Sequence, residues 1–225
     1  MLNSKTAKHP NGLSNSSGQV GRNLMNLQLT CILQRANEPN NGLFNRSFGI
    51  NDYYWGDKNV NFPLGHIQSG GGVLKDALFA ESPPVLSLIT KVIPDFGLKR
   101  LASRSISWWA MTEVLPDPET RVWVDENKIR INYLHNNLEA HDRLVYRWLD
   151  TLNKVENDSR TSVVTRTPTH PRGSAPLSVV GYACGTCRMG TSPNSSVVDL
   201  NGKCHDLENL YIVDSSIFPS CPSIG

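Results

Sequence analysis

Cys184-Gly-Thr-Cys187 sets two thiols three residues apart, and Asp214 stands directly after the apolar run Leu210–Val213. Each could do chemistry. A C-x-x-C pair supports thiol redox when the first thiol opens a helix that follows a strand, and zinc binding when two more ligands are at hand. Here Gly181 and Pro193 bracket the pair, and Arg188-Met-Gly190 leads into a turn-rich stretch. Cys204 and His205 are adjacent in the chain, which suits a shared tetrahedral site poorly. Neither redox nor metal use is the expected one. The Asp214 pattern is different. A continuous apolar run reads as a strand covered on both faces, and it stops abruptly at Asp214, Ser215 and Ser216. In open α/β sheets ligands lie beyond the carboxyl ends of strands, where a carboxylate can accept hydrogen bonds from sugar or ribityl hydroxyls. The plainer alternative is that Asp214 caps a following turn. His66 and Glu113 are further candidates for lining a substrate pocket, although a lone His or Glu beside apolar residues is more often a satisfied structural group.

Longer stretches surround these residues. Tyr182-Ala-Cys-Gly-Thr-Cys-Arg-Met-Gly190, Asn194-Ser-Ser-Val-Val-Asp199 and Asn209-Leu-Tyr-Ile-Val-Asp-Ser-Ser-Ile-Phe-Pro219 follow one another near the end. Together they closely resemble the C-terminal signature of the glucose-methanol-choline (GMC) oxidoreductases, in particular bacterial members. His9-Pro-Asn-Gly-Leu-Ser-Asn-Ser-Ser-Gly-Gln-Val-Gly-Arg-Asn-Leu24 is similar to the family's segment leading into its V-G-R-N-L turn, and Thr112-Glu-Val-Leu-Pro-Asp-Pro-Glu-Thr-Arg-Val122 to its E-x-x-P-x-P-x-N-R-V stretch.

The resemblance implies a flavoenzyme, or part of one, that moves hydride from a CH–OH donor to FAD. It places Ala183, Asp214 and Ser215 at the cofactor and makes Cys184–Cys187 a backbone turn near the flavin ring. It also puts Tyr182 where the family carries its catalytic His. An imidazole takes a proton near neutral pH, whereas a tyrosine ordinarily ionises near about 10. Tyr182 could instead donate a hydrogen bond to substrate, stack near the flavin, or simply pack. The family's G-x-G-x-x-G fingerprint is missing, and its second catalytic His or Asn would fall after Gly225. The expectation is therefore a fragment, from a split gene, a pseudogene or an incomplete gene reading. Its partners would be a small-molecule alcohol and a complementary N-terminal flavin-domain chain. The competing expectation is a catalytically silent fragment or a binding partner of such a chain.

Composition agrees with a globular protein: 39% hydrophobic and 19% charged residues, with a formal net charge of +2. That charge is too small, and the basic residues too scattered, to argue for nucleic acid or an anionic membrane. No run of eighteen apolar residues offers a spanning helix, and the polar start lacks a signal-peptide core, so the expected location is cytoplasmic. Five cysteines at irregular spacing read as free thiols.

The elements follow from periodicity. Leu24 to Leu33 alternates as a strand. Residues 70–103, opening on Gly70-Gly-Gly72, read as short helices broken at prolines. Residues 105–112 alternate cleanly, and Val122–Val124 and Ile129–Tyr133 flank a hairpin loop at 125–128. Leu138 to Val155 carries the three- and four-residue steps of a helix capped by Asn136 or Asn137. Residues 157–176 read as a polar return connection. The fold expected is a mixed α+β or α/β chain. Residues 1–25 would be a late part of the FAD domain and 26–160 an antiparallel-sheet substrate domain with helices. Residues 161–225 would be a C-terminal GMC region, so that partial Rossmann-like flavin-domain pieces flank the sheet.

Overall fold

A computed structural model describes residues 1–40, 46–73, 94–167, 169–178 and 180–223. Its centre is a five-stranded, wholly antiparallel sheet in the order β2-β3-β4-β1-β7. The strands are β1 (Gln28–Arg35), β2 (Gly49–Ile50), β3 (His66–Gly72), β4 (Ser105–Thr112) and β7 (Arg172–Ser174). A short helix, α1 (Asp95–Ser103), leads into β4. The hairpin of β5 (Arg121–Asp125) and β6 (Lys128–Asn132) stands apart as its own ribbon. It turns on Glu126 and Asn127, both at positive φ (46° and 61°), the conformation that a two-residue hairpin needs.

The long helix α2 (Leu138–Asn157) lies across one face of the sheet. Ala140, Leu144, Trp148 and Leu152 form one stripe, each four residues from the next. They pack on Ile32 of β1, Ile67 of β3 and Ala110 of β4, with Leu64 closing the cluster. The alternation of β4 is as expected from its sequence. Trp108, Ala110 and Thr112 turn to the helix, and Trp109 and Met111 meet Leu27 and Val180 on the other face. The helix begins at Asn137, one of the two expected caps. That residue sits in the left-handed region (φ 55°) and sends its amide to the Glu113 carbonyl instead of to its own helix.

Charged and polar groups fix the helix in place. Asp57, in the loop before β3, accepts from Arg143 Nε and Nη2 at 2.8 and 2.9 Å and from Arg147 Nε at 2.7 Å. The Arg143 bond above all holds its carboxyl far below the ordinary carboxylate range. At the far end Glu156 Oε1 takes bonds from Gln34 and His170, and Oε2 accepts the Thr167 amide.

Some expected boundaries move. The first strand starts at Gln28, because residues before it are held by the isolated Met25–Cys184 bridge and by loop contacts. Gly70 to Gly72 belong to β3, not to a helix. A bulge between Ser69 and Gly71 brings Gly70 so close to β4 that a Cβ would meet Ser107 Oγ at 2.8 Å and Trp109 Nε1 at 2.9 Å. Of the proline-broken helices, α1 is present and residues 74–93 lie outside the described residues. The return connection contains β7, three residues long and polar, which pairs with β1 without any alternation in its sequence. No helix among the described residues is long and apolar enough to cross a membrane.

Candidate functional site

The two ends of the chain pack together on the sheet's flank. Met25 and Cys184 exchange both backbone hydrogen bonds at 2.9 Å, and the Gly21 amide donates to Thr186 O at 2.7 Å. Gly185 makes the crossing possible. Its φ is +88°, and a Cβ there would lie 2.2 Å from Asn23 O. Val197, Val198, Cys187 and Cys204 form a small core with Val20, against which Met1 and Leu2 pack.

The segment 214–218 runs along 183–189. Ser215 Oγ donates to Ala183 O at 2.8 Å, the Cys187 amide to Ser216 O at 2.8 Å, and the Met189 amide to Ile217 O at 2.7 Å. Ala183, Asp214 and Ser215, three of the four residues expected at the site, thus meet on one ledge. Tyr182, half-exposed, adjoins it in sequence, and its carbonyl takes the Cys221 thiol at 3.8 Å.

Asp214 caps the single 3-10 turn Ser215–Ile217, its Oδ1 accepting the Ser216 amide at 2.8 Å. The hydroxyl and amide of Ser216 hold its pKa below the ordinary carboxylate value, so it is an ionised, solvent-facing acceptor. The turn-cap alternative therefore describes its contacts within this chain. The expected strand before it is corrected. Among the described residues Leu210–Val213 has no sheet neighbour beyond a single Lys203–Tyr211 bridge. Leu210 and Ile212 face the small core, while Tyr211 is 55% and Val213 90% exposed. A run apolar on both faces is here covered on one.

All five cysteines are buried, and Cys184, Cys187, Cys204 and Cys221 are free thiols. Turn and irregular backbone, not a helix, follow Cys184. Cys184 packs with Cys221, not with Cys187, in one small buried cluster. The neighbouring thiol lowers the pKa of Cys184 and, with burial, raises that of Cys221. No group of three His, Cys, Asp or Glu among the described residues could hold a metal ion.

His66 is spent on structure: buried, with Nδ1 2.6 Å from Asn51 Oδ1, its pKa lowered by burial. Glu113 does line a cavity, of about 130 Å³, with Tyr54 and Trp55. Those two aromatics were not singled out from the sequence. The only signal for them was the Tyr53-Tyr-Trp55 cluster between polar residues.

Residues 125–224 match the family model described as GMC oxidoreductase. Over 42 residues, 19% of this chain and 7% of the relative, it is 45% identical to an oxygen-dependent choline dehydrogenase of Chromohalobacter salexigens. Over 35 residues, 16% of this chain and 6% of the relative, it is 54% identical to 6'''-hydroxyparomomycin C oxidase of Streptomyces lividus. Two solved structures share the fold. Pyridoxine 4-oxidase from Mesorbium loti aligns at a TM-score of 0.53 and 21% identity, over 91% of this chain and 40% of that one. A variant of formate oxidase from Aspergillus oryzae aligns at 0.58 and 14% identity, over 92% and 44%. The chain thus spans under half the length of either solved structure. The family resemblance read from the motifs is the one these comparisons find.

Proposed function

We propose that this chain, whose residues 125–224 match the GMC oxidoreductase family, is part of a flavoenzyme that oxidises an alcohol, with FAD as acceptor. The observation that carries this reading is the ledge where Ala183, Asp214 and Ser215 converge beside Tyr182. An exposed, ionised carboxylate on a turn fits the hydroxyls of a ribityl chain, and the close crossing at Gly185 fixes the ledge's backbone. Asp214 and Ser215, with the backbone at Ala183, would hold the cofactor. Bound there, FAD supplies the hydride acceptor. Tyr182 would orient the substrate by donating its hydroxyl hydrogen to the substrate oxygen.

The apolar strip of Tyr211, Val213 and Phe218 lies exposed beside Asp214, which supports a partner in the form of a complementary flavin-domain chain. The second reading, a catalytically silent chain that serves only as that partner, is favoured by the Tyr at position 182 where the family's base is a His.

The test is reconstitution. Desalted after incubation with excess FAD, this chain alone is expected to retain no stoichiometric flavin. With a polypeptide that carries the phosphate-binding turn, retention should appear. Asp214→Ala should then weaken it by about tenfold or more, since charge-assisted hydrogen bonds contribute about 1.5–3 kcal/mol. Tyr182→His should raise alcohol oxidation by the pair, assayed with an artificial electron acceptor. Undiminished flavin retention in Asp214→Ala returns that residue to its turn-cap role. A measurable rate that Tyr182→His leaves level or lowers removes Tyr182 from the proton-acceptor position.

A further inference from the structure

The ribbon of β5 and β6 has one edge held by the chain and one left open. On the β5 side the Val122 amide donates to Gly21 O at 2.7 Å, and the approach is so close that a Cβ on Gly21 would lie 2.1 Å from Val122 O. β6 has no neighbour but β5 among the described residues. In an antiparallel pair successive residues turn their backbone groups alternately toward the partner strand and away from it. Val122, which turns away from β6 to reach Gly21, stands opposite Ile131, and Val124 stands opposite Ile129. Ile129 and Ile131 therefore present their amides and carbonyls to the open edge.

The side chains of the same two residues lie in water. Ile129 is 71% and Ile131 55% exposed, and with Val122 and Val124 opposite them they make one face of the ribbon apolar. A two-stranded hairpin with its apolar face uncovered is marginal by itself. The other face is basic along the open edge. Lys128 and Arg130 line it, β6 contains no acidic residue, and Arg121 lies over the Trp123 ring at 5.5 Å. Asp125 reaches Arg130 only at 3.6 Å in an exposed ion pair, which contributes little. Free backbone groups on an exposed edge are a template for another strand, and charge selects which strand. A second copy laid antiparallel, Ile129 against Ile131, would set its Arg130 directly opposite the first, a destabilising pair of like charges. A segment that alternates β-branched with acidic residues suits both faces at once.

We infer that the open edge of β6 binds an extended acidic segment of a partner protein, which adds a third strand to the ribbon. The main chain of that segment pairs with Ile129 and Ile131. Its apolar side chains continue the face of Val122 and Ile131, and its carboxylates meet Lys128 and Arg130. The site stands on the ribbon alone and does not rest on the alcohol-oxidising reading.

The probe is a short, dye-labelled synthetic peptide that alternates valine with glutamate, titrated with the chain and followed by fluorescence anisotropy. The control peptide alternates valine with lysine. No flavin or turnover is involved, so failure here leaves the flavin reading untouched, and failed reconstitution leaves this one untouched. Saturable binding of the acidic peptide is expected, weakening as salt is raised. Ile131→Pro removes an outward amide at a place where an edge strand tolerates proline, and Arg130→Glu reverses a charge on the edge; each should weaken binding by about tenfold or more. Both positions are exposed, so the fold survives their replacement, which an unchanged melting midpoint verifies; should Ile131→Pro fail to fold, Arg130→Glu decides. Absence of saturable binding, equal binding of the lysine peptide, or undiminished binding by folded Ile131→Pro or Arg130→Glu overturns the assignment. So does a dimer of the chain in sedimentation that Ile131→Pro dissociates, because a second copy then covers the edge.

Discussion

Truncating Leu144 to alanine is expected to cost about 3 kcal/mol and to lower the melting midpoint by ~10 °C. Leu144 is fully buried at the centre of the stripe that α2 lays on the sheet, among Ile32, Ile67 and Ala110. The sheet cannot collapse into the space, because its strands are fixed by ladder bonds on both sides of β4. A residual cavity then adds to the lost transfer energy. Trp148, one turn along, gives the control. It meets Trp108 edge to face at 4.8 Å, yet its own indole N–H is buried without a partner. Trp148→Ala should cost about 3–5 kcal/mol. Trp148→Phe should cost less than about 1.5 kcal/mol, since it removes an unsatisfied donor along with part of the ring. Urea unfolding of the three variants measures this. A Trp148→Phe loss equal to that of Trp148→Ala would show that the full indole, which a smaller aromatic ring does not replace, organises the cluster.

These two residues were legible in the sequence, and the reason is physical. A helix twenty residues long repeats its pattern often enough for the buried stripe to stand out, and β4 alternates over eight residues. The hairpin at 125–128 was legible from its turn chemistry. What escaped was short or held from a distance. β2 has two residues and β7 three, too few for any period, and both exist because longer neighbours offer free edges. β3 was hidden by its glycines, which are there because a bulge presses the strand against β4. Leu210–Val213 misled in the opposite sense. Its apolar run promised cover on both faces, but this chain supplies it on one, through Leu210 and Ile212.

The site was legible to different depths. Asp214, Ser215 and Ala183 are close in space because their motifs cross, and the motifs could be seen. That Cys184 would pack with Cys221 instead of Cys187 could not, since 37 residues separate them and no local rule connects the two. The Tyr54–Trp55–Glu113 cavity likewise joins a loop to a strand end 58 residues later. Sequence reasoning raised Glu113 as a pocket residue but had no means to supply its aromatic neighbours.

Acidification from pH 7 to pH 4.5 should remove about 2.5 kcal/mol of stability through one residue, His141. It sits on the sheet-facing side of α2, buried between two threonines: Nδ1 lies 3.0 Å from Thr112 Oγ1 and Nε2 2.7 Å from Thr30 Oγ1. The Thr112 hydroxyl donates to Leu64 O at 2.8 Å, so its oxygen accepts, and Nδ1 carries the proton. Nε2 then accepts from Thr30. The neutral ring is satisfied on both sides, and Asp142 alone favours its charged form. Burial outweighs that carboxylate and lowers the pKa to about 4 from an ordinary 6.5. The sign follows directly. A folded pKa below the unfolded one means that the unfolded chain takes up the proton first. The stabilisation is complete above about pH 6.5 and is lost as pH falls toward 4, a total of about 3 kcal/mol. His66, also lowered by burial, acts in the same direction, and Asp57 adds its own loss only at still lower pH, below its ordinary 3.8. Urea unfolding of the chain and of His141→Gln at pH 7 and 4.5 separates the contributions, since glutamine keeps a donor and an acceptor there but has no proton to gain. The variant should lose markedly less stability between the two pH values than the parent. Parallel losses would mean that His141 is already protonated in the folded protein, and that the two threonines hold an imidazolium.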